Sequence, residues 1–258
     1  MNRNAAIINL PVKRKIANHN TAIISYLNKS YGKAGTAYLY KVAYKHFTPS
    51  TTATVCFIKL PLDKKINRFI KRGFDIFLSV TVIALVLSWL IPLMAILIKV
   101  GSKGPVFFLQ KRHKQNGTVF TCIKFRSMIV NEEADILPAA ENDKRITAIG
   151  RIMRQTFIDE LPQFFNVLLG DMSVIGPRPH MVKEHLKFES LVPHYNFRNG
   201  VKPGITGLSQ VVGLEGAADT IMKMNDRVVV DNFYIRNWSV KLDIIIIFRT
   251  LGKLSSGK

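Results

Sequence analysis

Cysteine is scarce in this chain, with two residues, Cys56 and Cys122, among 258. Two widely spaced cysteines form neither a disulfide framework nor a metal-binding signature. We therefore interpret both as unpaired thiols of a protein from a reducing compartment. A chain of this length can bury a sizeable core without such cross-links.

Several catalytic and binding motifs are also missing. The sequence contains no P-loop, no G-x-G-x-x-G fingerprint, no H-E-x-x-H, no C-x-x-C and no G-x-S-x-G. These absences exclude the usual motif-based forms of nucleotide hydrolysis, dinucleotide binding, zinc proteolysis and serine hydrolysis. No DNA-reading motif is present, so we expect no nucleic acid partner.

Acidic residues are few, and basic residues outnumber them most strongly at the start of the chain. Residues 1–72 hold 14 Lys and Arg against one acid, Asp63, whereas the rest holds 23 against 16. A basic excess is typical of proteins that meet nucleic acid, anionic lipid or phosphorylated substrates. No apolar signal region follows the first charges, so we interpret residues 1–60 as a basic leader of unassigned role.

The longest uncharged run covers 23 residues, 76–98, which is enough to span the hydrocarbon core of a bilayer. Lys and Arg flank it on both sides, whereas a simple spanning helix has its basic excess on the cytoplasmic side only. We therefore predict, over residues 61–100, a basic flank and a re-entrant, non-spanning membrane helix. Pro92 breaks a backbone hydrogen bond at the expected membrane turn, and Ser88 is placed to bond a freed carbonyl. An ordinary spanning helix is the competing interpretation.

Residues 101–258 are predicted to form a cytoplasmic α+β domain that is mainly helical. Residues 105–110 and 119–125 flank a Gln-Asn-Gly turn, as the strands of a small β-hairpin do. A helix is predicted around residues 149–155.

The candidate catalytic pair is Asp159-Glu160, which precedes Pro162 and an apolar run that ends at Gly170. Proline suits the first turn of a helix and glycine its end, so the pair is expected at or near the start of a short helix. Neighbouring helical side chains diverge by about 100°, which suits the two carboxylates to different tasks. One would attack an electrophile while the other faces a metal ion such as Mg²⁺. A simple helix cap is the alternative.

Three further segments are candidates for phosphate or membrane contact. Arg178 lies between two prolines, which restrict the backbone around a guanidinium suited to bidentate phosphate binding; an exposed loop arginine is the alternative. The Gly- and Pro-rich stretch 201–210 is a second candidate, through its backbone N–H groups. Tyr234 and Trp238 flank Arg236 in an aromatic–basic mixture typical of a membrane interface.

Together these segments resemble the bacterial sugar transferase family, the monotopic polyprenyl-phosphate phosphoglycosyl transferases. The resemblance runs from about Lys71 to Leu254. It rests on eight segments in the family's order: Lys71-Arg72-Gly73-Phe74-Asp75, Gly104-Pro105-Val106-Phe107-Phe108, Lys124-Phe125-Arg126-Ser127-Met128, Asp159-Glu160-Leu161-Pro162-Gln163, Gly170-Asp171-Met172-Ser173, Gly176-Pro177-Arg178-Pro179, Lys202-Pro203-Gly204-Ile205-Thr206-Gly207 and Tyr234-Ile235-Arg236-Asn237-Trp238-Ser239. The chain departs from the family at Ser88, which Trp89 follows where many members have proline.

The resemblance implies transfer of a phosphosugar from a nucleotide diphosphate sugar, usually a UDP-sugar, to polyprenyl phosphate. It implies that Asp159 is the nucleophile of a covalent aspartyl-phosphosugar intermediate and that Glu160, with Asp159, holds Mg²⁺. Arg178 would bind substrate phosphate, with Lys124 and Arg126 as further phosphate contacts.

The same resemblance places the protein at the cytoplasmic face of the inner membrane, in the first membrane step of surface glycan synthesis. Interfacial amphipathic helices and contact with anionic membrane lipid are expected there. The sequence does not decide the oligomeric state, and a homo-oligomer is one state it allows. Two other functions stay open: a non-catalytic basic adaptor at the membrane surface, and a transferase that acts by single displacement.

Overall fold

Residues 60–131, 143–216, 218 and 220–256 are the part of the chain that the computed structural model describes. They fall within one unit, Phe57–Lys258. The predicted basic leader lies outside the described residues, apart from its last residue.

A long helix opens the described chain. After a 3₁₀ turn at Pro61–Asp63, α1 (Lys65–Val82) passes through a π-helical segment (Ile83–Leu87) into α2 (Ser88–Gly101). By length and composition it is the one described helix able to cross a membrane.

The irregular part of this helix lies immediately before Ser88. The Ser88 N–H donates to the Ile83 carbonyl, and the Ser88 hydroxyl donates to the Ala84 carbonyl at 2.7 Å. Pro92, in contrast, lies within α2. π-helical turns are common sites of bending. The membrane turn at Ser88 and Pro92 stays a prediction.

Both ends of the long helix are tied to the domain that follows it. Near its start, Lys71 forms a buried ion pair with Asp243 at 2.8 Å. One turn later, Asp75 accepts hydrogen bonds from the Ser173 hydroxyl and the Val174 N–H. Beyond its end, the Arg126 guanidinium donates to the carbonyl and the hydroxyl of Ser102.

The predicted hairpin is confirmed. β1 (Phe107–His113) pairs antiparallel with β2 (Val119–Phe125), with Phe107 opposite Phe125. The connecting turn, Gln115–Gly117, contains two residues of positive φ. The first strand runs three residues beyond its predicted end.

The remaining elements make the described part mainly helical, as predicted. In order they are α3 (Ala148–Gln155), α4 (Gln163–Leu169), β3 (Ser173–Ile175), α5 (Val182–Phe188), β4 (Gly204–Thr206), α6 (Leu208–Val211), α7 (Ile221–Arg236) and α8 (Val240–Ser256). Gly170 ends α4 with a φ of 91°, a left-handed conformation that favours glycine.

The stretch 201–210 is not the open loop that was predicted, and its contact with phosphate stays a prediction. β4 lies within it and pairs in parallel with β3. A Cβ atom on Gly204 would come within 2.1 Å of the Gly176 nitrogen. The glycines here serve a close approach between two strands, because no side chain fits between them.

The prediction of an interfacial aromatic cluster at Tyr234 and Trp238 is wrong. These side chains are 1% and 6% exposed. The Tyr234 hydroxyl and the Trp238 indole N–H both donate to the Asp243 carboxylate, at 2.8 and 3.0 Å. Together with Lys71 they form a buried network that joins α1 to α7 and α8.

Candidate active site

Asp159 and Glu160 lie in a 3₁₀ turn, Ile158–Glu160, between α3 and α4. The turn begins at Phe157, whose φ of 56° is left-handed and costs a non-glycine residue roughly 1–3 kcal/mol. This reversal ends α3 and presents both carboxylates just before α4. The predicted location at a helix start is confirmed to within one turn.

Helix α4 is fixed against the hairpin and against the long helix. The Asn166 side chain accepts a hydrogen bond from the Ile123 N–H at 2.9 Å and donates to the Thr121 carbonyl at 2.8 Å, along the free edge of β2. At the other end of α4, the Arg72 guanidinium donates to the last-turn carbonyls of Val167 and Leu168. The carboxylate turn is thereby held beside β2, which carries Lys124.

Glu160 is bound by two cations. Its Oε1 lies 2.6 Å from the Lys124 ammonium and 2.6 Å from Arg178 Nη2, and its Oε2 accepts from Arg178 Nη1 at 3.1 Å. Burial on its own would raise the pKa of Glu160, but Arg178 and Lys124 outweigh it and hold that pKa well below its usual range. Glu160 is therefore ionised, with both oxygens occupied.

Asp159 has the opposite environment. Its carboxylate is 8% exposed and receives no hydrogen bond or ion pair from the described residues. Burial and, next, the negative charge of Glu160 raise the pKa of Asp159 to about 6, against the lowering effect of nearby cations. Adjacent carboxylates with pKa values pushed apart suit different chemical tasks, which is what the sequence predicted for this pair.

The two carboxylates open into a cleft of about 490 Å³. Its apolar lining residues include Phe108, Leu109, Ile129 and Val130. The described charged residues that line the cleft are six cations and three acids: Arg112, Lys124, Arg126, Arg154, Arg178, Arg227, Asp159, Glu160 and Glu184. The excess of cations favours an anionic ligand with an apolar part.

Comparison with known proteins identifies the family of the chain. Residues 66–257, well over half of the chain, match the family model described as bacterial sugar transferase. The chain belongs to the bacterial sugar transferase family.

Three curated relatives illustrate the range of the family. The UDP-glucose:undecaprenyl-phosphate glucose-1-phosphate transferase of Klebsiella pneumoniae is 47% identical over 189 residues, which cover 73% of this chain and 40% of that protein. The UDP-N-acetylgalactosamine-undecaprenyl-phosphate N-acetylgalactosaminephosphotransferase of Aeromonas hydrophila is 44% identical over 199 residues, 76% of this chain and 46% of that protein. The exopolysaccharide production protein PSS of Rhizobium leguminosarum bv. phaseoli is 43% identical over 195 residues, 73% of this chain and 97% of that protein. This bacterial sugar transferase thus spans less than half of the first two relatives and nearly all of the third.

Of the predicted phosphate contacts, Arg178 and Lys124 meet at Glu160, whereas Arg126 has other partners. Its guanidinium donates to Ser102 and to the carbonyls of Pro105 and Met128, which fixes the chain that leaves α2. Arg126 does line the cleft. Its contact with phosphate stays a prediction.

Three arginines of the cleft, Arg112, Arg154 and Arg227, were not singled out in the sequence. Arg154 projects from α3 and donates to the Ser127 hydroxyl at 3.3 Å. Arg112 lies on β1 opposite Phe120, on the same face of the hairpin as Lys124. Arg112 lies two residues beyond the predicted end of the first strand, so the predicted hairpin did not include it. The left-handed Phe157 that brings Arg154 towards Asp159 has no sequence signature.

Asp159 and Glu160 are the carboxylates of the cleft that could hold Mg²⁺. Within the described ranges no three His, Cys, Asp or Glu side chains are grouped to hold a metal. Mg²⁺, however, is often held by one or two carboxylates together with substrate phosphates and water. The unpartnered Asp159 carboxylate fits that role. Glu160 could also bind Mg²⁺ if Arg178 or Lys124 moved away from one of the Glu160 carboxylate oxygens.

Proposed function

We propose that this protein transfers a phosphosugar from a UDP-sugar to polyprenyl phosphate, releasing UMP and forming a polyprenyl diphosphate sugar. The observation that best supports this proposal is a contrast between two neighbouring carboxylates. Asp159 has no partner among the described residues at the cleft, whereas Glu160 is bound by Arg178 and Lys124. Relatives named for UDP-sugars and undecaprenyl phosphate support the two substrate classes. The cleft is lined by both apolar side chains and cations, which suits an acceptor that has both a phosphate and a hydrocarbon chain.

The proposed reaction proceeds by two displacements at one phosphorus atom. An Asp159 carboxylate oxygen attacks the phosphorus that bears the sugar, and UMP leaves with the electrons of the broken P–O bond. A phosphate oxygen of the lipid then attacks the same phosphorus. The bond to Asp159 breaks, which restores the carboxylate and yields the lipid-linked diphosphate sugar.

The cations of the cleft would act on the charge of both steps. Arg178 offers two parallel N–H donors and Lys124 a compact charge, and both lie beside the carboxylates, where phosphate oxygens would approach. In the ground state Glu160 keeps them in place. The same groups would stabilise negative charge that develops on the phosphoryl oxygens.

Mg²⁺ is part of the proposal. Asp159 and Glu160 would hold it together with phosphate oxygens of the substrate, and it would offset the repulsion between a carboxylate and a diphosphate.

We further propose that the long helix is re-entrant and that the cleft faces the cytoplasm at the inner membrane. A spanning helix has its ends on opposite sides of about 30 Å of hydrocarbon. Here residues at both ends, Lys71 and Ser102, bond to the same domain. The π-helical segment between them offers a place for the chain to turn.

A second observation supports contact with anionic membrane lipid. Helix α8 exposes apolar side chains at helical spacing, Val240, Ile244, Phe248 and Leu251. Lys241 is also exposed on this helix. An apolar stripe beside a basic residue is typical of a helix that lies at a membrane surface.

The reaction is tested with the purified chain in lipid nanodiscs, Mg²⁺, polyprenyl phosphate and a panel of UDP-sugars. We expect UMP release with at least one UDP-sugar, matched one to one by a lipid-linked diphosphate sugar. A basic membrane adaptor would release no UMP with any of them, and that result would reject the proposed reaction.

A further inference from the structure

The segment that carries Arg178 is anchored on both sides by backbone hydrogen bonds. The carbonyl of Pro177 accepts from the Gly204 N–H at 2.9 Å, and that of His180 accepts from the His113 N–H at 3.1 Å. Between these points, two prolines flank Arg178 and have no N–H to donate. The middle of the segment therefore depends on its carbonyl groups for fixation.

Two arginines hold those middle carbonyls. Arg198 Nη2 donates to the carbonyl of Arg178 at 2.5 Å, and Arg112 Nη1 donates to the carbonyl of Pro179 at 2.5 Å. Each of four consecutive carbonyls, residues 177–180, is thus bonded from outside the segment.

The two arginines are themselves fixed, in different ways. Arg198 is 5% exposed and pairs with the buried Asp231 at 3.0 Å. Arg112 donates through Nε and Nη2 to the amide oxygen of Gln110, at 3.0 and 2.7 Å. Arg198 is therefore neutralised by a carboxylate, whereas Arg112 is held by uncharged oxygens.

We propose that Arg112 and Arg198 are positioning residues that act through Arg178. By holding the carbonyls on either side of its side chain, they fix the direction in which the Arg178 fork leaves the backbone. That direction sets the bidentate contact with Glu160 and, in the proposed function on which this inference rests, the contact with substrate phosphate. A carbonyl released from either arginine leaves the fork free to swing, and a misdirected group at a reacting centre lowers the rate strongly.

A double-mutant cycle between Arg112 and Arg178 tests the inference. Arg112→Met removes the hydrogen bond to the Pro179 carbonyl without leaving a carboxylate unpaired. We expect it to slow UMP release from UDP-sugar about tenfold, mainly in kcat. In an Arg178→Ala background the same substitution should change the rate by less than about twofold, because the group it positions is gone. If the two losses multiply instead, Arg112 acts independently of Arg178 and the inference is wrong.

Two controls separate positioning from general damage. Lys111→Met removes a cation from the neighbouring position of β1, where it is exposed and contacts Thr121, and should leave the rate unchanged. Arg198 Nη2 contacts both Asp231 and the Arg178 carbonyl, so Arg198→Lys keeps a positive charge near Asp231 but cannot reproduce both contacts with the geometry of the guanidinium. It should lower kcat with little change in melting temperature, and its effect should also vanish in the Arg178→Ala background; an undiminished effect there would overturn the assignment of Arg198.

The inference has a readout that does not depend on the reaction. Hydrogen exchange of the His113 and Gly204 amides, which donate to the carbonyls at the two ends of this segment, should speed up in Arg112→Met, relative to the wild type and to Lys111→Met. If the wild type releases no UMP, the proposed function fails, but this measurement still tests whether Arg112 fixes the segment that carries Arg178. Unchanged exchange would mean that Arg112 does not fix this segment.

Discussion

Asp159 combines burial, a negatively charged neighbour and the lack of a partner among the described residues. Its pKa rises from 3.8 to about 6 on folding, so the ionised form is disfavoured in the folded state. Below pH 4 the group is neutral in both states and has no effect. As the pH rises from 4 to 6 it ionises first in the unfolded chain, which destabilises the fold by an amount that is constant above pH 6.

Asp159→Asn should therefore stabilise the protein while it abolishes the reaction. We expect the free energy of unfolding at pH 8 to rise by on the order of 2 kcal/mol, with a smaller gain at pH 5. Thermal unfolding of the detergent-solubilised variant at both pH values measures this. Glu160→Gln is the matched comparison, and should destabilise the protein at pH 8 because it leaves Arg178 and Lys124 without their counter-charge. A loss of stability in Asp159→Asn at pH 8 would contradict the account of its environment.

Arg178 is expected to serve phosphate contact more than folding. Arg178→Lys keeps the charge but loses the two-pronged contact with Glu160, so the rate should fall at least about tenfold while the melting temperature changes little. Steady-state UMP release and a thermal melt on the same preparation decide this. Lys187→Arg, an exposed change on α5, is the control. If Arg178→Lys unfolds the protein, the residue is primarily structural.

At the scale of elements, α4 links the carboxylate turn to the long apolar helix. Arg72 of α1 bonds the carbonyls of Val167 and Leu168, which as last-turn groups have no partner within α4. These bonds join α1 to the helix that follows Asp159 and Glu160.

Arg72→Gln should loosen α4 without unfolding the domain. We expect the amides of Gln163–Leu169 to exchange roughly tenfold faster, because two last-turn carbonyls lose a charged donor worth on the order of 1–2 kcal/mol. Hydrogen exchange with mass spectrometry measures this, and Arg68→Gln, exposed one turn earlier on α1, is the matched control. Equal exchange in both variants would mean that the Arg72 contact does not stabilise α4.

Elements with a local cause were predictable from the sequence. The hairpin follows from alternation around a Gln-Asn-Gly turn, and Gly170 ends α4 because its left-handed φ favours glycine. The parallel pairing of β3 with β4 was missed because it depends on a distant partner. The burial of Tyr234 was missed for the same reason, since Asp243 is shared with Lys71, 172 residues away in the sequence.

The features of the candidate site also divide into those with a local sequence signal and those that depend on packing. Asp159, Glu160 and Arg178 were found from their motifs, and the bonds of Arg178 and Lys124 to Glu160 bring those motifs together. The left-handed Phe157 that aims the turn is imposed by the packing around it, so sequence propensity gives no sign of it.

At the scale of the whole molecule, the account depends on both ends of the long helix lying on one side of the membrane. Cys122 is fully buried and cannot report on this, and Cys56 lies outside the described residues. Lys65 and Lys103 are both exposed and lie on either side of the apolar run.

Single cysteines at Lys65 and Lys103, in a Cys56→Ser background, should react with an impermeant thiol reagent from the same side. We expect labelling of both in inside-out membrane vesicles and of neither in intact spheroplasts. Detergent-solubilised samples, in which both sites should react, are the control for accessibility. Labelling of the two sites from opposite sides would establish a spanning helix and reject re-entrance.

The most direct test of the central claim is the reaction of UDP-sugar without lipid acceptor. If Asp159 forms a covalent intermediate, the enzyme with Mg²⁺ and UDP-sugar alone should release about one UMP per active site and exchange labelled UMP back into UDP-sugar. Rapid quench followed by mass spectrometry should find the sugar phosphate on the peptide that contains Asp159, and Asp159→Asn should lose burst, exchange and adduct together. A wild-type enzyme that turns over with polyprenyl phosphate but shows no exchange without it, while Asp159→Asn keeps substantial turnover, would contradict the account and establish direct attack by the lipid phosphate.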